Sequence, residues 1–220
     1  MGSVIGNLLP LAVGVAISPI PIVAVILMLL ARNAGGASLG FAVGWVGGIV
    51  IATGIFVLLA GSIDTGGHTG AHATLFGWIR IGLGLLLIAL AGKQWSARAD
   101  TSTPQWMRAI DEVTFPKALG LGALLSAVNP KNLLLCVSAG VAIGTGTLSG
   151  GGEFIALIIF TVLAAATVLV PVLGYQVAAE RIRPTLDSLK NWLQANNHMV
   201  MAILLLVMGS VVLGKGIEAL

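Results

Sequence analysis

Long apolar stretches fill most of this chain, at roughly 4–31, 39–61, 75–92, 117–147, 154–178 and 199–217, with short polar segments between them. About 20 apolar residues cross a bilayer as a helix, so each stretch is long enough to span or nearly so. The runs are Leu, Val, Ile and Ala without period-2 alternation, which excludes a closed β-barrel and predicts an all-α integral membrane bundle of six transmembrane helices. A retained first helix is expected rather than a signal peptide. No Lys or Arg precedes it, and its apolar run exceeds a signal sequence's short core.

Two of the six stretches are interrupted. Ser18-Pro19-Ile20-Pro21 breaks the first, and Asn129-Pro130-Lys131-Asn132 breaks the fourth. A proline removes a backbone donor and clashes with the preceding turn, so each break frees polar backbone groups at membrane depth. The polar segment 93–116 divides the chain, with three spans on each side. The third and sixth spans, "IGLGLLLIALAGK" and "AILLLVMGSVVLGK", both end in Gly-Lys after a Leu-rich run. The pattern predicts one membrane domain, 1–220, built from two three-helix repeats, 1–92 and 117–220. With three crossings each, the repeats have inverted topology, and Pro-broken helices in matching positions point to a transport site.

Within 93–116, Thr103 and Pro104 can start a short helix with Trp106, Met107, Ile110 and Val113 on one side and Arg108, Asp111 and Glu112 on the other. This predicts an interfacial helix. In the second span, Gly36, Gly40, Gly44, Gly48 and Ala52 recur every four residues, a face on which another backbone can pack closely.

Charge sets the orientation. The chain of 220 residues is 57% hydrophobic and only 9% charged, with a formal net charge of +3. Of its 11 Lys and Arg, Arg32, Lys93, Arg98, Arg108, Lys117, Arg181, Arg183 and Lys190 lie in or beside alternate loops. Those loops are expected in the cytoplasm, with both termini outside. This distribution accounts for the basic balance without nucleic acid.

Lys131 is the exception, falling inside a span, where an ammonium costs at least ~2.5–3.5 kcal/mol on insertion scales. No Asp or Glu lies within a span to neutralise it, so carbonyls, water or an anionic ligand are its natural partners. The prolines alone could mark a kinked, internally satisfied helix, but a kink does not need a lysine. Ser18, Asn129 and Asn132 add hydroxyl and amide groups at the two breaks. Arg80 begins the third span at the outer interface, where it could steer an anionic group or snorkel to lipid phosphates.

Other chemistries find little support. The single Cys136 excludes an intrachain disulfide and a CxxC relay. No span offers the carboxylates a hard cation needs, and His68 and His72 near Asp64 are separated by glycines that disfavour a metal-binding helix. There is no GxxxxGK[ST] loop and no hydrolytic constellation. No metal, cofactor or enzymatic activity is expected.

Three segments carry a family resemblance: "ISPIPIVAVILMLLARNAGGASLGFAVGW", "WMRAIDEVTFPKALGLGALLSAVNPKNLLL" and "WLQANNHMVMAILLLVMG". They resemble the GAP (glycopeptidolipid-addressing protein) family, which includes sulfolipid-addressing proteins and belongs to the LysE-type exporter superfamily. The resemblance extends over nearly the whole chain. It implies a bacterial plasma-membrane exporter of lipids or glycolipids to the cell envelope, working as a homodimer, with larger lipid-export machinery a further candidate partner. Its motifs fall on Ser18 to Pro21 and Asn129 to Lys131. Amino-acid exporters of the superfamily carry Pro-Gly-Pro in the first motif, and Ile20 replaces that glycine here, which suits an acyl chain better than a zwitterion. The expected site is thus Ser18, Pro19, Pro21, Asn129, Pro130, Lys131 and Asn132, with Arg80 at the outer side. The competing readings are a small-solute exporter and a non-transporting scaffold.

Overall fold

The computed structural model describes residues 2–31, 33–64, 70–99, 113–146, 148 and 151–218, with side chains left out at 61–64 and 70–76. The predicted interfacial helix at 103–113 and the Asp64, His68 and His72 group lie wholly or largely outside the described residues. Seven helices and no strand occur among those described: α1 Gly2–Ala16, α2 Pro19–Leu30, α3 Ala34–Asp64, α4 Gly70–Ser96, α5 Phe115–Ala127, α6 Pro130–Gly144 and α7 Gly152–Glu218. Three of these are long and apolar enough to cross a membrane, or up to five when each bent pair counts as one crossing. The chain is a multi-pass membrane protein.

Both breaks fall where the prolines predict them. Pro19 and Pro130 each occupy the first turn of a new helix, where a missing N–H costs nothing. The α1–α2 pair bends by 54° and the α5–α6 pair by 65°. Asn129 caps α6, its Oδ1 accepting the backbone N–H of Lys131 at 3.1 Å. Helix α2 buries most of its circumference, from Ile22 to Ile26 and again at Met28 and Leu29, so the first break feeds straight into the middle of the bundle.

Helix α7 is 67 residues long and leaves helical geometry at Ala178 (φ −148, ψ 50). The chain bends sharply there, bringing Ile182 against Gly174 and the Arg183 guanidinium onto the Tyr175 hydroxyl at 2.8 Å. Residues 179–198, expected as a loop, are helical. No glycine falls between Gly174 and Gly209, and good helix formers dominate. Leu186 and Leu193, two turns apart, are buried, while Asp187 holds Lys190 on the outer side at 2.7 Å.

Glycine decides which helices touch. A Cβ on Gly40, Gly44 or Gly48 would run into the α5 backbone at Phe115, Leu119 and Ala123, and one on Gly122 would strike Phe41 and Trp45 of α3. The four-residue stripe is therefore the α3–α5 seam, and those two helices run in the same direction. Helix α4 packs antiparallel on the last part of α7, where Gly84 meets Leu213 and Gly216 meets Ile81. Asn7, Arg80, Lys215 and Glu218 consequently gather at one end of the bundle. Gln94 and His198 pair at the other, at 2.7 Å.

Candidate functional site

Breaking a helix inside an apolar bundle strands the last carbonyls of the first segment, and each must find a donor. At the end of α1 every one of them does. Val13 O takes the N–H of Ile17 at 2.9 Å, and Ala16 O takes that of Ser18 at 2.9 Å and the Thr167 hydroxyl of α7 at 2.5 Å. Val15 O accepts from Ser18 Oγ at 2.7 Å. Gly14 O and Ile17 O both accept from Lys131 Nζ, at 2.6 and 3.3 Å. The ammonium also donates to Ser18 Oγ at 2.7 Å. Three N–H donors thus meet three oxygens, the full complement of an ammonium.

The electrostatics agree with this pairing. The C-terminal end of a helix carries partial negative charge, and Lys131, only 4% exposed, lies against the end of α1. No acidic residue is needed to hold it. Asn132 completes the junction: its amide N–H donates to Leu125 O of α5 at 3.0 Å, and its Oδ1 lies 3.0 Å from Ser18 Oγ. The one proton of Ser18 is shared between Val15 O and Asn132 Oδ1.

Pro19 and Pro21 shape the other side of the break. Both are buried at the start of α2, and of its first three positions only Ile20 carries an N–H. Helix starts of this kind ordinarily present several free N–H groups, which in an apolar core would each need an acceptor. The double proline removes that demand, and with it most of the capacity of α2 to bind an anion at its start.

Seven of the eight predicted positions therefore meet at one junction: Ser18, Pro19, Pro21, Asn129, Pro130, Lys131 and Asn132. Arg80 stands apart. It lines a pocket of about 240 Å³ between α1, α4, α6 and α7, together with Asn7, Leu11, Ser138, Ala142, Val212, Lys215 and Glu218. Asn7 and Gly14 are seven residues apart on α1, as are Lys131 and Ser138 on α6, which puts the pocket roughly 10 Å from the junction at ~1.5 Å per residue. Lys215 Nζ donates to Asn7 Oδ1 at 3.0 Å. Among the described residues no group of three or more His, Cys, Asp or Glu is placed to hold a metal ion.

Thr167, Asn7 and Lys215 were not among the expected site residues. Each had a signal, since Asn7 and Thr167 are among the few polar residues in their apolar runs and Lys215 ends a span. Pairing them with Ala16 or Arg80 required the tertiary arrangement.

No curated protein and no solved structure matches the chain. A family model does, over residues 8–218, a range that includes both breaks, Thr167 and most of the pocket. The chain belongs to the family described as Sap, sulfolipid-1-addressing protein.

Proposed function

We propose that the protein moves a lipid or glycolipid with an acidic headgroup across the bacterial plasma membrane towards the envelope, by rocking two inverted three-helix halves about the junction of the two breaks. The family's description supports the lipid part of this reading. The observation that carries the transport part is the meeting of the α1–α2 and α5–α6 breaks, each from a different half, through Lys131, Ser18 and Asn132.

Helix directions support six crossings. The shared direction of α3 and α5 and the opposed directions of α4 and the end of α7 fit a chain in which each bent pair crosses once and α7 crosses twice, turning at Ala178. Corresponding faces are small or regular in both halves. The glycine stripe of α3 answers to Ala156, Phe160, Ala164, Val168 and Val172, buried every four residues on α7. Lys93, Arg98, Lys117, Arg181, Arg183 and Lys190 then share the cytoplasmic side, with both termini outside.

The test is reconstitution of the full chain, alone, into phosphatidylcholine vesicles containing a sulfated glycolipid. Movement of that lipid between leaflets above the protein-free rate is expected. Counterflow of amino acids without lipid movement would sink the reading, and so would lipid movement that appears only on adding other envelope proteins.

A further inference from the structure

Because Lys131 spends all three of its N–H donors on the protein itself, the cation for an acidic group must come from elsewhere, and the Arg80–Lys215 pocket has two. We infer that this pocket binds the tetrahedral oxyanion of a sulfated or phosphorylated lipid headgroup, with Arg80 and Lys215 as its cationic walls. The assignment rests on the lipid-moving reading for its place along the path, and on the pocket alone for its chemistry.

Three observations carry it. Arg80 is half-buried, and among the described residues it has no hydrogen-bond or ion-pair partner, so its planar fork of N–H groups is free for two oxygens of one sulfate or phosphate. Lys215 spends one N–H on Asn7 and keeps two. Against these two cations the pocket sets one carboxylate, Glu218, which leaves a formal charge of +1, matched by a sulfate monoester.

Size and wall chemistry narrow the ligand further. About 240 Å³ is below the ~300 Å³ where drug-sized ligands begin to fit, so the pocket suits a headgroup and not a whole lipid. Its inner wall is apolar, from Leu11, Ala142 and Val212, and suits the first methylenes beyond the charged group.

The experiment is native mass spectrometry of the full chain in a non-ionic detergent, titrated with galactosylceramide sulfate, unsulfated galactosylceramide, phosphatidate and inorganic sulfate. Retention of the sulfated lipid and of phosphatidate over the unsulfated parent is expected. Arg80→Gln and Lys215→Gln should each weaken that retention roughly ten- to a hundredfold, the range for a lost charge-assisted hydrogen bond, with Arg80→Lys intermediate. Should Arg80→Gln fail to fold, Lys215→Gln decides alone.

Equal retention of the sulfated and unsulfated lipids, or unchanged retention by the folded variants, overturns the assignment. Competition by inorganic sulfate with no sulfated lipid retained overturns it in favour of a free anion. Arg80-dependent lipid binding without any leaflet exchange would defeat the transport reading and leave the pocket standing. Exchange that survives both substitutions, with binding unaffected, does the reverse.

Discussion

Replacing Lys131 by Met separates two roles that demand opposite signs. Met keeps an unbranched apolar stem of similar length and removes only the ammonium. If the ammonium ties α1 to α6, the substitution strands Gly14 O and Ile17 O in the apolar core and costs Ser18 Oγ a donor. Three hydrogen bonds from a charged donor contribute ~1.5–3 kcal/mol each, while removing the buried ammonium recovers ~2.5–3.5 kcal/mol, so the net is a destabilisation of roughly 3 kcal/mol. A Lys131 idle until a ligand arrives would give the reverse, a gain of ~2.5–3.5 kcal/mol in the empty protein. The assay is denaturant unfolding of the purified chain in non-ionic micelles, followed by circular dichroism. Ser18→Ala and the double variant complete a cycle whose coupling should reach about 1–2 kcal/mol, since the two side chains touch. An unfolding midpoint for Lys131→Met at or above the wild-type value would refute the reasoning.

Three further outcomes follow from the packing. Gly44→Ala and Gly122→Ala push a methyl group into facing backbone and should each cost about 1–3 kcal/mol, whereas Gly47→Ala, with open space at that position, should leave the melting temperature unchanged or raise it; equal effects at Gly44 and Gly47 would contradict the α3–α5 seam. Thr167→Val removes the donor to Ala16 O and should lower stability by about 1–2 kcal/mol, less than Lys131→Met; an isostere that melts like wild type would show the α7 contact to be dispensable. Cys136 has no exposed surface, so a maleimide should label it only after unfolding, and prompt labelling of the folded chain in micelles would mean that α6 opens to solvent at this level.

The breaks were legible because proline and asparagine act locally. Pro19, Pro21 and Pro130 act on their own φ, their own donors and the turn just before them, so their effect can be read off without knowing what else surrounds them. The glycine stripe was legible as a face for the same reason, although its partner α5 was not. What stayed hidden was pairing across the chain. Lys131 and Gly14 are 117 residues apart, and nothing in either segment names a backbone carbonyl as the lysine's partner. A lone charge in a span looks like a ligand site because sequence displays side chains and conceals freed main-chain oxygens. The segment 179–198 misled for a related reason: its charges read as loop, yet Leu186 and Leu193 were already spaced for a helix.

A junction bonded in this way constrains how the protein can move. Rocking that separated α1 from α6 at Lys131 would strand a buried ammonium together with two carbonyls, a cost of several kcal/mol that no ligand contact at the proline-blocked start of α2 could offset. The end of α1, the start of α6 and Thr167 of α7 should therefore travel as one body, with the opening developed at seams held by van der Waals contact alone. The glycine-lined seams, α3 on α5 and α4 on the end of α7, come nearest to that kind, the second adding one hydrogen bond between Gln94 and His198 at 2.7 Å. They lose mainly contact area when they part, and each joins helices from different halves. The α4–α7 seam ends at Arg80 and Lys215, so the helices that slide there carry the two cations of the pocket. Motion there would change the spacing of the two cations while leaving Lys131 and its oxygens untouched.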